Sequence, residues 1–326
     1  MFLTRRTCGA VTLGSLAGAL PHPASAQESY PSRSVTITVP FPAGGSTDTV
    51  ARLLAARLGT DTGQPFVVDN RGGANGTVGS ALVARARPEG YNLLFTPNSS
   101  YAMGAHLYPL TYDNERAFVG VGLVASMPIF MVVPKNLPAR TLQEFIEVAK
   151  RPSQKLFYAN SGVGSSTHLA TEMFFQQAGI EMPDVVYRGG GPALQGVLQG
   201  EAQMVFQAAS GVIPFLQSGD VRALAVTTKQ RSDLAPDVPT FAEAGFPDYE
   251  VVEHIALFAP AGTPAPVVRR INAAVASAMN HPEIVERLRT LAVTPTVGTP
   301  EEFPVYFAAE NAKWREVIRS RNIRIQ

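Results

Sequence analysis

Val35-Thr36-Ile37-Thr38-Val39 leads straight into PFPAGGSTD, Pro40 to Asp48. The first five residues alternate apolar and polar and are mostly β-branched, which predicts a half-buried strand. The strand empties into a glycine turn, and beyond it Val50, Leu53, Leu54 and Leu58 recur on one helical face. Ser46 or Thr47 is the expected N-cap. Asp48 falls in the first turn, where the helix dipole favours a carboxylate.

Reading outward, the same unit recurs. Phe66 to Val68 is strand-like, RGGANGTVGS (Arg71 to Ser80) is a glycine-rich turn, a helix follows through Leu82 and Val83, and Tyr91 to Phe95 is the next strand. Ala117 to Ala125 and Ile129 to Val133 read as two strands parted by Met127-Pro128, because proline interrupts a ladder. Thr141 caps a helix to Lys150, Leu156 to Ala159 is a strand, and SGVGSSTHLA (Ser161 to Ala170) opens a helix that ends near Gly179. Val185 to Tyr187, Met204 to Phe206, Val221 to Val226 and Val251 to Phe258 are further strands. Between the first two lies a helix, Pro192 to Gln199, and three helices from Pro264, Pro282 and Pro300 close the chain. Such alternation predicts an α/β fold with ligands at the loops beyond strand C-termini.

The chain has 326 residues, 27 Lys+Arg against 26 Asp+Glu, and is 45% hydrophobic, enough for one large domain or two. So even a charge balance argues against a nucleic-acid partner, which needs a basic stripe. Residues 1–26 carry Arg5 and Arg6, an apolar run from Gly9 to Leu20, and Ala24-Ser25-Ala26, the pattern of a cleaved export signal. The run is shorter than the roughly 20 residues of a membrane span, and Pro21 and Pro23 end it. The paired arginines allow twin-arginine export, although Thr7-Cys8 follows them instead of a bulky apolar pair. Cys8 is the sole cysteine, so the mature chain has no thiol for a disulfide, a metal or catalysis. The expectation is a soluble, exported periplasmic monomer.

Four turns place glycine beside Ser, Thr or Asn directly before a helix: 44–47, 72–77, 162–167 and 189–191. Any one of them is an ordinary cap. Four together favour a small-anion site built from backbone N–H groups and helix N-termini, with carboxylate preferred over phosphate because no G-x-x-x-x-G-K-[ST] is present. Gly120, Gly122 and Ala125 mimic a dinucleotide fingerprint inside a strand, where Pro128 blocks the required helix. The histidines show no metal spacing, so neither metal nor cofactor is expected. His168 reads as a polar first-turn residue rather than a base. No nucleophile elbow occurs, and no nucleophile stands beside a base.

In order, PFPAGGSTD, RGGANGTVGS, RPEGYNLLF (Arg87 to Phe95), GVGSSTHL, YRGGGPALQGVLQG (Tyr187 to Gly200), APDVPTFAEAGFPDYE (Ala235 to Glu250) and APAGTPAPVV (Ala259 to Val268) span nearly all of the mature chain. The ordered set resembles the Bug family, the periplasmic solute-binding components of tripartite tricarboxylate transporters. That resemblance implies a two-lobed type II periplasmic-binding-protein fold hinged by two crossover strands. Lobe 1 would comprise 27–128 and 250–326, and lobe 2 would comprise 129–249. It implies no enzyme; the rivals are an enzyme on this fold using Asp48 or His168, and a sensory receptor uncoupled from transport. It also implies a ligand carboxylate held by Gly45, Ser46, Thr47 and Asp48 in the first lobe and by Gly164, Ser165, Ser166 and Thr167 in the second. Asn75, Gly76 and Asn98 would line the remaining wall. Phe41 and Tyr101 would suit an aromatic carboxylate. In GEAQMVFQAAS (Gly200 to Ser210) the family commonly carries acids where this chain has Gln203 and Gln207. A neutral Gln207 offers no ionic partner to an ammonium, which favours a mono- or dicarboxylate over an amino acid. Arg188 is the best candidate counter-ion. The implied partners are the carboxylate and the transporter's membrane components.

Overall fold

In β1 (Val35–Val39) Val35, Ile37 and Val39 are fully buried, since the strand is flanked on both edges and covered on both faces. The computed structural model describes residues 30–325 except 152 and 154, so the export segment at 1–26 lies outside the described residues. After β1 come α1 (Ser46–Thr62), β2 (Phe66–Asn70), α2 (Thr77–Ala84) and β3 (Asn92–Pro97). Both neighbours of β1 run parallel to it, Ile37 standing beside Val68 and Leu93. The chain continues through β4 (Phe118–Pro134), α3 (Leu142–Ala149), β5 (Tyr158–Asn160), α4 (Ser166–Ala178), β6 (Asp184–Val186), α5 (Gly190–Leu198), β7 (Met204–Ala208), α6 (Ala209–Gln217) and β8 (Val221–Val226). It closes with β9 (Val252–Pro260), α7 (Ala265–Met279), α8 (Pro282–Thr290), β10 (Thr294–Pro295) and α9 (Phe303–Ser320).

The strands lie in the order β2-β1-β3-β9-β4-β7-β5-β6, with β8 and β10 also pairing with β4. The long β4 defines the architecture. Up to Pro128, opposite Val252, its ladder is with β9; from Ile129, opposite Ala208, it is with β7 and β8. The sheet is thereby divided into two halves joined by β4, which passes from one to the other, and by the segment leading into β9, the two-lobed architecture that the resemblance implies.

Here the structure corrects the expectation that Pro128 separates two strands. Pro128 sits where one partner strand gives way to the next, so its missing N–H leaves no ladder bond unmade. The N–H of Ile129 then donates to Thr227 Oγ1 at 3.2 Å, and that same hydroxyl donates to the carbonyl of Val251, tying both connecting segments to one side chain. The expected cap of α1 is also corrected. Gly45 is the N-cap and, being glycine, offers no side chain to cap the helix, while Asp48 reaches back to the Gly44 N–H. The helix α6 escaped the sequence reading because Pro214 sits inside it. One lost backbone bond is outweighed by the burial of Ala209, Val212 and Ile213. The capping box at Thr141 and Glu144 forms as its sequence suggests.

Three apolar clusters fill the molecule. One lies under α1, α7 and α8 in the first half, and one under α5 and α6 in the second. The third runs from Leu94, Tyr101 and Phe258 through Trp314 of α9 to Phe145, Phe174 and Phe206. It crosses from one half to the other. Phe303 and Phe307 of α9 pack on Tyr101 of the first half, and Arg321, just beyond the helix, bonds Glu172 of α4 at 2.8 Å and Glu181 at 2.7 Å in the second, so the C-terminal helix leans on both halves.

Candidate ligand-binding cleft

All the parallel strands of the two halves, β1 to β3 and β5 to β7, end at the level where β4 and β9 connect them. The loops that follow open helices, so the N-termini of α1 and α2 face those of α4, α5 and α6 across the gap between halves. On one side a cavity of about 240 Å³ is lined by Gly44, Ser46 and Thr49 from the α1 loop and by Ser210 and Gly211 from α6. On another side the halves touch: Asn75 Nδ2 donates to the Ser99 carbonyl at 2.8 Å and to the Gly164 carbonyl at 3.3 Å. Gly164 has φ +81°, and a Cβ there would strike Leu107, so only glycine lets this turn approach so closely.

The head of α4 is a cluster of hydroxyls. Ser165 is its N-cap, accepting the His168 N–H at 3.1 Å. The Ser165 and Thr167 hydroxyls lie 3.1 Å apart, and both contact Ser161. Asn160 Oδ1 accepts the Gly162 N–H at 3.0 Å and steadies the loop. His168 Nδ1 accepts the Gly164 N–H at 3.1 Å, which places its proton on Nε2, and burial holds the imidazole below its usual range. Neutral and already hydrogen-bonded, it shapes the turn.

Other predicted site residues are engaged inside the protein. Asp48 is 3% exposed; its carboxylate accepts from the Gly44 N–H at 2.8 Å, Arg52 Nε at 3.0 Å and Asn70 Nδ2 at 3.0 Å. Burial alone would raise its pKa, but the Arg52, Gly44 and Asn70 donors together hold it below the ordinary value. Asn70 also donates to the Phe41 carbonyl at 3.1 Å, so Asp48 and Asn70 fasten the loop that carries Ser46. The Phe41 ring packs against the first-half core. Gly76 approaches Ser100, whose hydroxyl donates to the Asn75 carbonyl at 2.9 Å. Thr47 is buried. Asn98 is fully buried, donating to the Val252 carbonyl at 2.9 Å and to Glu310 Oε2 at 3.1 Å, a carboxylate that also takes the Trp314 indole N–H at 2.8 Å. Tyr101 packs edge-on to Phe258 and at a tilt to Phe303 and Phe307. Asn98 and Tyr101 thus sit in the packing beneath α9.

Gln207 is wedged between the heads of α5 and α6. A Cβ on Gly190 would stand 2.8 Å from its Oε1, and one on Gly211 would collide with its Nε2. Its Oε1 is buried without a hydrogen-bond partner. Arg188 is exposed.

Three groups escaped the sequence reading: Ser210, Gly211 and Glu253. The first two follow a strand whose continuation into a helix was masked by Pro214. Glu253 carried a usable signal, being the one acid in the otherwise strand-like run Val251 to Phe258. Its Oε2 accepts a bond from Ser166 Oγ at 3.1 Å.

The family model described as "Tripartite tricarboxylate transporter family receptor" matches residues 50–323. Protein BugT of Bordetella pertussis is 33% identical over 301 residues, 92% of this chain and 92% of that protein. Among solved structures, a protein of R. palustris with adipate superposes with a TM-score of 0.81 at 35% identity, covering 90% of this chain and 99% of the other. MatC from Rhodopseudomonas palustris with bound malate does so at 0.76 and 33%, covering 89% and 100%.

Proposed function

The chain belongs to the tripartite tricarboxylate transporter receptor family, also known through its Bug members, and from that premise we propose that it is an extracytoplasmic receptor for a small carboxylate. The observation that carries the reading is the opposition of helix N-termini across the cleft, α1 towards α6 and α2 towards α4, with the Ser161, Ser165 and Thr167 hydroxyls at the head of α4. Unsatisfied N–H groups and dipoles of that kind favour an anion without needing a cationic side chain. The carboxylates bound by two structural neighbours, adipate and malate, support the same ligand class. The contacting groups would be Ser46, the Gly45 backbone and the turn Gly164 to Thr167, with Gln207 and Asn75 at the margins. Asp48 would act by holding its loop in place.

The lobes would be 27–128 with 250–326, and 129–249, closing about the two connecting strands. A micromolar Kd corresponds to about −8 kcal/mol, within reach of a few charge-assisted hydrogen bonds plus closure. The receptor would act in the periplasm and hand its ligand to the membrane components of a tripartite transporter. Calorimetric titration of the mature chain with adipate, malate and succinate tests the binding: saturable one-to-one association is expected, and heats indistinguishable from dilution for all three would reject it. Loss of carboxylate uptake in cells lacking the protein would tie that binding to transport.

A further inference from the structure

Glu253 lies opposite Met127, at the level where β4 leaves the first half, and reaches the head of α4 through its bond from Ser166. Protein encloses it deeply, yet part of its surface stays open. The charged and titratable groups near it leave it without a counter-ion. Within its own segment, Glu250 pairs with Lys229 at 3.3 Å, and His254 turns to the Tyr306 hydroxyl at 3.0 Å. From α4, His168 is neutral and accepts the Gly164 N–H. From β4 nothing titrates, since residues 118–134 contain no ionisable side chain. Across the cleft Asp48 is consumed by Gly44, Arg52 and Asn70. Among the described residues no cation offsets Glu253.

A carboxylate docked at the head of α4 would share the Ser166 neighbourhood with this acid. Two carboxylates so close cannot both stay ionised, and one takes a proton. We propose that Glu253 is a binding residue of the cleft that meets the ligand carboxylate as a neutral acid, its own O–H donating to the ligand, so that binding the anion draws a proton from solvent. This rests on the carboxylate-receptor reading. Burial, which raises the Glu253 carboxyl above the ordinary value against the opposing pull of the Ser166 hydroxyl, works in the same direction.

The test is calorimetric titration with adipate from about pH 6.5 to about pH 8.5, above the titration of the ligand's own carboxyls, in buffers of different ionisation enthalpy. Uptake of about one proton is expected, with Kd rising towards about tenfold per pH unit. Glu253→Gln, which carries the neutral form's shape permanently, should bind with a flat pH profile and no proton uptake, and tighter than wild type at the alkaline end. Ser166→Ala, which removes a donor to the ionised acid, should move the pH midpoint upward and guards against a misfolded Glu253 variant. Adipate binding without pH dependence in wild type overturns the role of Glu253 alone. So does a dependence that survives Glu253→Gln and vanishes in His168→Gln. Tighter binding of aspartate than adipate, lost in Glu253→Gln, would make the acid an ammonium partner and also overturn it. Absence of binding to every carboxylate by all forms rejects the receptor reading itself.

Discussion

Asp48 shows how a single buried carboxylate can fix a loop at the head of a helix. It converts three donors from different parts of the chain into one fixed turn. Asp48→Ala leaves the Gly44 N–H without its acceptor and takes from the Asn70 amide one of its two, and should cost about 1–3 kcal/mol in urea unfolding, together with a weaker Kd. The sign of the pH effect follows from the lowered folded pKa. Its stabilisation is present above the unfolded value of about 4 and is lost as pH falls through the folded one. The stability gap between wild type and Asp48→Asn should therefore shrink steadily in acid. Arg188 makes the opposite case. It is exposed at the entrance to α5, so Arg188→Ala should change carboxylate affinity by less than about threefold. A complete loss of binding would replace the dipole account with a salt bridge.

At the scale of elements, the junction of β4 with β9 concentrates the mechanical interest. Thr227 is fully buried, and its one hydroxyl serves both connecting segments, accepting from Ile129 and donating to Val251. Thr227→Val keeps the volume but strands the Ile129 N–H and the Val251 carbonyl. A loss of about 1–3 kcal/mol is expected in chemical denaturation. Hydrogen exchange should show the added exposure first at Ile129, the amide that loses its acceptor. Uniform exchange across both halves would mean that the junction carries no special load. Helix heads are the other element-level device: α1, α4, α5 and α6 differ in sequence, yet each follows a strand end and opens into the same gap.

For the whole molecule, the third apolar cluster and the C-terminal helix limit how the halves can move. Since α9 packs on residues of both, closure should be a modest rotation rather than wide separation. Small-angle scattering should show compaction on saturation with a bound carboxylate, and an unchanged radius with verified occupancy would count against closure. Trp314, the only tryptophan, is buried in α9 with its indole N–H on Glu310, so its emission gives an independent optical readout of the same step.

Much of this was legible along the chain. β-Branched alternation at Val35 to Val39 and helical spacing from Val50 to Leu58 depend on local periodicity, and glycine before a helix depends on local backbone freedom. The fold class and the loops facing the cleft are therefore written in short stretches of sequence. Pro128 and Pro214 misled because a proline's cost depends on which partner its missing N–H would have met, and only the assembled sheet and helix specify that. The roles of Asp48, Asn98 and Tyr101 were likewise decided by tertiary structure. Their polar atoms meet donors and acceptors up to 212 residues away, as Asn98 does at Glu310, and buried polar groups settle where such partners stand. Glu253 belongs to the same class: the sequence by itself placed an acid in a strand, and only the fold set it beside Ser166, away from every cation among the described residues that could have neutralised it.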